Sequence, residues 1–108
     1  WSRNTENKYD LAIYVANWPS ARAHAWKSLL PARAIENIAY IAGVNRIGTD
    51  GLQLDYAGDS VLLDFKGVPL AELKSEEKIE TVTLSKQALL DFRESFPAYL
   101  DADGFDLK

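Results

Sequence analysis

Cysteine and methionine are both absent from this chain of 108 residues. Without cysteine the chain can form no disulfide and no thiolate metal site, and it cannot supply a cysteine nucleophile. A natural chain begins with methionine, so Trp1 predicts a fragment, a processed chain or a truncated sequence. A chain of 108 residues is long enough for one small domain at most.

Long apolar runs and blocks of basic residues are missing as well. No apolar run approaches the roughly 20 residues that a membrane-spanning helix needs. The net charge is −4 without a basic cluster, which argues against nucleic acid and anionic membranes as partners. No signal peptide is visible after Trp1, so we expect a cytoplasmic protein. His24 is the only histidine, and one histidine without cysteine offers no transition-metal site, so we expect no metal or cofactor.

Two apolar runs flank a helical pattern in the first half of the chain. Residues 11–16 and 40–44 show no alternation, which is typical of strands covered on both faces. Between them, residues 21–37 carry apolar side chains with a period near 3.6, and Ser20 is the expected N-cap. Pro31 either kinks this helix or starts a second one, and the continued phase of the apolar stripe favours the kink. The pattern predicts a βαβ unit.

Shorter strands are predicted further along the chain. Asp50-Gly51 is a hairpin signal. Alternating or apolar segments predict strands over residues 52–56, 61–65, 70–73 and 79–84.

A second helix is predicted near the end of the chain. Ser85 is its expected N-cap, with Leu84 and Leu89 at the spacing of a hydrophobic staple. Pro97 ends it, and the apolar side chains of the tail, which include Phe105 and Leu107, are expected to pack on the protein. The sum is an α/β fold: a βαβ unit, a β-meander and a capping helix.

Several ordered motifs cover nearly the whole chain, and together they resemble a known family. They are Tyr9-Asp10-Leu11-x-Ile13-Tyr14-Val15-Ala16-Asn17-Trp18-Pro19, Trp26-Lys27-x-Leu29-Leu30, Ala32-Arg33-Ala34-Ile35-Glu36-Asn37, Val44-Asn45-Arg46-x-Gly48 and Tyr56-x-Gly58-Asp59-Ser60. In this order and spacing they resemble the nitrilase superfamily of carbon–nitrogen hydrolases, and most of all its omega-amidase (2-oxoglutaramate amidase) branch.

The resemblance implies a fold and an assembly. The chain would be the C-terminal half of an αββα sandwich and part of a single domain, with the N-terminal half of the same enzyme as its partner. The helix over residues 21–37 would lie at a homodimer interface.

The resemblance also implies a reaction whose catalytic residues this chain does not contain. In such enzymes a cysteine thiolate attacks the amide carbon, ammonia leaves, and water hydrolyses the thioester. A glutamate is the general base, often assisted by a second glutamate, and a lysine stabilises the oxyanion. All of these lie upstream of the region that matches this chain, so we predict no catalytic residue here and no activity for the chain alone.

Three residues are candidates for substrate binding. Asn17 and Trp18 follow the first buried strand and Arg46 follows the second, at the carboxyl ends where α/β sheets bind ligands. Trp18 would form an apolar wall, Asn17 a hydrogen-bond donor or a brace, and Arg46 a carboxylate clamp. The alternative is that Trp18 and Asn17 only pack and brace a loop.

Other polar residues have mainly structural interpretations. Arg33, close to Glu36 and Asn37 on one helix, is either a carboxylate receptor or, as we favour, part of a bracing network. Gly58 is expected to allow a bulge or close backbone approach, and Ser60 to form a buried hydrogen bond.

Three functions remain open from the sequence. The first is one part of an amidase acting on a small carboxamide such as 2-oxoglutaramate. The second is a catalytically dead fragment that serves only as an interaction module. The third is an unrelated small α/β binding domain, which the ordered motifs disfavour.

Overall fold

The structure, a computed structural model, describes residues 2–104 and 106 of the chain. Expectations for the packing of Phe105 and Leu107 lie outside the described residues. A strand and a helix are followed by five consecutive strands, a second helix and a short 3-10 turn. The strands and helices are β1 (Leu11–Ala16), α1 (Ala23–Asn37), β2 (Tyr40–Asn45), β3 (Ile47–Thr49), β4 (Asp55–Ala57), β5 (Ser60–Leu63), β6 (Pro69–Lys74) and α2 (Lys86–Ser95).

Four of the strands form one sheet in the order β1-β2-β5-β6. β1 and β2 are parallel and joined by α1, so the predicted βαβ unit is confirmed. β5 and β6 continue the sheet antiparallel, and β3 pairs with β4 as a separate hairpin. The hairpin turns at Asp50, whose carboxylate accepts hydrogen bonds from the main-chain N–H groups of Leu52 and Leu54, as the Asp-Gly signal predicts.

Helix α1 covers one face of the sheet. Its Trp26, Leu30 and Ala34 pack with Ile41 of β2 and Leu63 of β5 in one buried cluster. Helix α1 runs without a break through Pro31, so a new helix beginning at Pro31 is ruled out and the single helix is confirmed.

Gly43 sets how closely α1 approaches the sheet. A Cβ atom at this position would lie 2.9 Å from Cζ2 of Trp26 and would overlap the Leu30 side chain. We expect Gly43→Ala to lower the free energy of unfolding by about 1–3 kcal/mol, because the helix must move outward. Urea unfolding measures the change. Gly51→Ala, at a turn position with open space around it, is the matched control, and equal effects of the two changes would contradict the close approach.

Helix α2 closes the end of the sheet where β1 and β2 begin. The Ser85 hydroxyl accepts a hydrogen bond from the Ala88 N–H at 3.1 Å, which confirms the predicted cap. Leu84 and Leu89 belong to one cluster, as a hydrophobic staple requires. The cluster also contains Ile38, Tyr40, Phe65, Phe92 and Ala98.

Arg93 of α2 fastens this helix to the first strand. Its guanidinium donates to the carbonyl oxygens of Ile38 and Tyr9 at 3.0 and 2.9 Å, and to the Asp10 carboxylate at 2.7 Å. The residue is buried, with 4% of its surface exposed. The hydrogen bond from Arg93 lowers the pKa of the Asp10 carboxyl below its ordinary value.

The second face of the sheet is partly bare. Leu11, Ile13 and Val15 of β1 are 39%, 61% and 80% exposed, and Val44 of β2 is 47% exposed. The prediction that these strands are covered on both faces is therefore wrong for β1, whereas β2 is buried at Tyr40, Ile41 and Gly43 and exposed only at Val44. Continuous apolar runs are typical of doubly covered strands, but α1 covers one face only.

Other predicted boundaries need correction. Residues 79–84 form no strand, although their alternation places Val82 and Leu84 inward, because no neighbouring main chain pairs with them. The strand predicted over residues 52–56 begins only at Asp55, since the turn extends to Leu54.

The start of α1 and the length of the hairpin also differ from expectation. Ser20 begins the 3-10 turn Ser20–Arg22 and is not the N-cap, and α1 begins at Ala23. β3 was not expected from the sequence. In the part of the chain that is described, no helix has the length and apolarity of a membrane span.

Candidate functional site

The loops that follow β1 and β2 leave the sheet side by side. Ala16 pairs with Asn45 at the end of the parallel ladder, so the next residues, Asn17 and Arg46, emerge from neighbouring strands. Adjacent strands in a sheet lie about 4.8 Å apart. Asn17 and Arg46 are both exposed at this edge, while Trp18 is half-buried. The structure therefore brings the three predicted binding residues to one edge of the sheet.

The side chain of Asn45 ties these loops together. Its Oδ1 accepts a hydrogen bond from the Trp18 N–H at 2.8 Å, and its Nδ2 donates to the Trp18 carbonyl at 3.0 Å. The same Nδ2 donates to the Gly58 carbonyl at 2.9 Å. The Asn45 amide thus joins the loop after β1 to the loop before β5.

The indole of Trp18 is fixed by its neighbours. Its Nε1–H donates to the Arg22 carbonyl at 2.6 Å, and the Arg22 guanidinium lies 4.5 Å above the indole. The ring also contacts Trp26, with centroids 5.8 Å apart at a tilt of 39°. A cation above an indole is attracted by the ring quadrupole. Trp18 is therefore firmly held at the sheet edge, half-buried against the cluster beneath α1.

Arg46 rests on a second aromatic ring. Its guanidinium lies 4.5 Å from the centre of the Tyr56 ring, and the Tyr56 hydroxyl donates to the Asp50 carboxylate at 2.9 Å. Hydrogen bonds from the Leu54 N–H, the Tyr56 hydroxyl and the Leu52 N–H, together with the nearby Arg46 charge, lower the pKa of the Asp50 carboxyl. Among the residues described here, Arg46 forms no ion pair within 4.0 Å and no hydrogen bond to Asn17 or Trp18.

Gly58, in the loop before β5, and Ser60, the first residue of β5, contact the residues at this edge. Gly58 has φ +75°, and a Cβ atom there would lie 2.5 Å from Ile47 and 2.6 Å from the Lys74 carbonyl. The Ser60 hydroxyl accepts from the Asn45 N–H at 2.9 Å and donates to the Asn45 carbonyl at 3.1 Å. The expected close backbone approach at Gly58 and the internal hydrogen bonds of Ser60 are both confirmed.

Arg33, Glu36 and Asn37 of α1 form a network of hydrogen bonds and ion pairs that joins the helix to the N-terminal segment. Arg33 pairs with Glu36, which also meets Arg3 at 3.3 Å. Asn37 is buried, accepts from the Asn4 N–H at 2.8 Å and donates to the Arg33 carbonyl at 2.9 Å. This favours the bracing network over a carboxylate receptor at Arg33.

Two further features lie away from the sheet edge. His24 is exposed on α1, and residues 2–104 and 106 contain no cluster of histidines and carboxylates placed to hold a metal ion. A cleft of about 530 Å³ lies between α1 and β5–β6, lined in part by Lys27, Asp59 and Lys74. None of the three predicted binding residues lines this cleft.

Sequence reasoning missed two residues that shape the site. Asn45 lies inside a motif that carried the resemblance, but a motif does not reveal that one amide spans two loops. Arg22 stands four residues after Trp18, but neighbours at this spacing meet only within a helix, and Trp18 precedes the 3-10 turn Ser20–Arg22, so no sequence signal marked the contact. The structure thus defines an α/β protein with a candidate ligand site at the carboxyl ends of two parallel strands.

Comparisons with known proteins agree with this class. Residues 3–93 match the family described as Carbon-nitrogen hydrolase, so the chain belongs to that family. It is 50% identical to omega-amidase YafV of Escherichia coli, over 99% of this chain and 42% of the relative. It is 37% identical to the 2-oxoglutaramate amidase of Bacillus subtilis, over 94% of this chain and 39% of the relative.

A solved structure is similar along nearly the whole chain. XC1258 of Xanthomonas campestris, a CN-hydrolase superfamily protein with an arsenic adduct in its active site, is 51% identical with a TM-score of 0.95. The similarity covers 99% of this chain and 43% of XC1258. The resemblance to the nitrilase superfamily and the α/β fold expected from it are confirmed. The chain spans about two fifths of the length of the relatives it matches.

Proposed function

We propose that the protein of which this chain forms part is an amidase. It hydrolyses the C–N bond of a small carboxamide that also bears a carboxylate, in the class of 2-oxoglutaramate. The observation that carries this proposal is the 50% identity, over 99% of the chain, to a protein named omega-amidase. The similarity to a 2-oxoglutaramate amidase supports the substrate class.

The bonds are broken by residues outside this chain. The chain has no cysteine, so the thiolate that attacks the amide carbon comes from elsewhere in the protein. The glutamate base and the oxyanion-stabilising lysine come from there too. Ammonia leaves, water hydrolyses the thioester, and the chain alone is inactive. Its contribution is one wall of the pocket.

Each of the three residues at the sheet edge has a role in this wall. Trp18 provides an apolar surface, and Asn17 provides a hydrogen-bond donor or braces the loop. Arg46 binds the carboxylate of the substrate. Stacking on Tyr56 uses the face of the guanidinium, whereas its N–H donors lie in the plane and suit a carboxylate. Such an arrangement supports bidentate binding.

The bare face of the sheet is the surface that meets the rest of the enzyme. It presents Ile13 and Val15 of β1 and Val44 of β2, all strongly exposed. Monomeric proteins rarely leave apolar patches beyond a few hundred Å² uncovered. We propose that the N-terminal half of the same enzyme packs there to complete the αββα sandwich.

A homodimer contact through α1 is the second surface that we propose. Leu29 and Ile35 of this helix are 47% and 57% exposed, although the opposite side is buried against the sheet. The alternative function, a catalytically dead interaction module, uses the same apolar surfaces. The chain has no cysteine and a bare sheet face under both functions, so the presence or absence of amidase activity in the whole protein decides between them.

The proposal is tested with a chimera in which this chain replaces the matching region of Escherichia coli omega-amidase YafV. We expect the chimera to release ammonia from 2-oxoglutaramate at a rate within about tenfold of the relative, because the two chains share 50% of their residues in this region. A folded chimera without ammonia release would contradict the amidase proposal and favour the interaction module.

Arg46→Gln in this chimera tests the carboxylate clamp. A hydrogen bond to a charged group contributes about 1.5–3 kcal/mol, so we expect KM for 2-oxoglutaramate to rise about ten- to hundredfold. KM for an amide that lacks the carboxylate should stay constant. Arg33→Gln, which changes an ion-paired arginine on α1, is the control. Equal effects of Arg46→Gln on the two substrates would overturn the role of Arg46.

A further inference from the structure

The side-chain amide of Asn45 is hydrogen-bonded at the sheet edge through its oxygen and through both N–H donors. Its Oδ1 accepts from the Trp18 N–H, and its Nδ2 donates to two carbonyls, those of Trp18 and Gly58. An amide offers two N–H donors and an oxygen with two lone pairs, and here both donors and the oxygen have a partner. Aspartate lacks the donors, and serine is too short to span the two loops.

The main chain of Asn45 is held as firmly as its side chain. The Ser60 hydroxyl bonds both the N–H and the carbonyl of Asn45, at 2.9 and 3.1 Å. Asn45 is also the last residue of the parallel ladder, opposite Ala16. Its amide therefore projects from a fixed strand end and holds the Asn17–Trp18 loop to that strand end.

Asn45 holds Trp18 in place through the Trp18 main chain. Both main-chain polar groups of this residue bond to Asn45, and its indole N–H bonds to Arg22. A displaced loop would move the indole and the preceding Asn17 together. Because Trp18 and Asn17 form the proposed pocket wall, such a displacement would weaken substrate binding and raise KM.

We propose that Asn45 is a positioning residue for the amide substrate: through its amide it fixes the Asn17–Trp18 loop that forms the pocket wall. The inference rests on the proposed function and deepens it, because Asn45 acts through Trp18 and Asn17 and touches no reacting atom.

Asn45→Asp in the chimera replaces the two donors with a second acceptor oxygen that faces the Trp18 and Gly58 carbonyls, and it keeps Oδ1 as the acceptor for the Trp18 N–H. We expect KM to rise at least fivefold while kcat changes less than threefold, because a wall contact binds substrate and transition state alike. Hydrogen exchange at the amides of residues 17 and 18 should quicken at least tenfold. Both measurements are made on the same preparation.

Asn37→Asp is the matched control. Asn37 also accepts from a main-chain N–H and donates to a main-chain carbonyl, but it lies at the other end of the βαβ unit. This variant should lose stability while KM and exchange at residues 17 and 18 stay within twofold of the parent. Equal KM changes in both variants, or unchanged exchange in Asn45→Asp, would overturn the proposal. If the unsubstituted chimera releases no ammonia, the amidase proposal fails by itself and hydrogen exchange alone decides the role of Asn45.

Discussion

Arg93→Ala is expected to cause the largest loss of stability in this chain. The change removes three hydrogen bonds and leaves the buried Ile38 carbonyl without its donor, while the Tyr9 carbonyl keeps its hydrogen bond from the Asn4 side-chain amide. Hydrogen bonds to a charged group contribute about 1.5–3 kcal/mol each, so the loss of the three together is expected to cost about 3–5 kcal/mol. We expect the free energy of unfolding of the chimera to fall by about that amount, measured by urea denaturation.

Arg33→Ala is the control for this prediction. Arg33 is also ion-paired, but its side chain is 40% exposed, so its loss should cost less than about 1 kcal/mol. If the two arginine variants unfold at the same urea concentration, Arg93 does not fasten α2 to the first strand.

The effect of Arg93→Ala should also depend on pH. Arg93 lowers the pKa of the folded-state Asp10 carboxyl below its ordinary value of 3.8. A lowered pKa means that the ionised carboxylate stabilises the fold above that value, and that this part is lost as pH falls through the folded-state pKa. The difference between parent and variant should therefore shrink below pH about 4. A difference that is constant down to pH 2 would contradict the Asp10–Arg93 interaction.

Trp18→Ala is expected to cause the largest loss of activity. It removes the aromatic surface and the hydrogen bond to Arg22, and it leaves the Arg22 guanidinium without its ring. We expect kcat/KM of the chimera for 2-oxoglutaramate to fall about 10²-fold, because the pocket wall and its geometry are lost together.

Two further variants, Trp18→Phe and Leu52→Ala, separate the loss of the pocket wall from general effects of a substitution on kcat/KM. The phenyl ring keeps a surface for Arg22 but cannot donate to its carbonyl, so we expect a loss of about tenfold. Leu52 is 83% exposed on the hairpin turn, and its removal should leave kcat/KM unchanged. Parent-like kcat/KM in Trp18→Ala would remove Trp18 from the substrate pocket.

The local order of this fold was predictable where the sequence pattern is strong. Two apolar runs around a helical period predicted β1, α1 and β2, and Ser85 with its staple predicted the start of α2. These signals are short-range, because periodicity and capping depend on neighbours within a few residues. The motifs also placed Asn17, Trp18 and Arg46 at one edge, since parallel strands bring their carboxyl ends together.

Long-range features were not predictable in the same way. Arg93 contacts residues 83 positions earlier in the chain, and Asn45 joins loops on either side of it. No local pattern marks such partners. Residues 79–84 alternate like a strand, yet a strand forms only beside another main chain. Coverage of β1 likewise depends on what packs against its bare face.

Sedimentation velocity of the isolated 108-residue chain tests most directly whether its bare sheet face is an interface. We predict self-association beyond the 12.1 kDa monomer, because Ile13 and Val15 are 61% and 80% exposed. We also predict that the double change Ile13→Lys with Val15→Lys shifts the chain toward the monomer. A folded, monodisperse monomer of the unchanged chain would contradict the claim that this face is built to be covered.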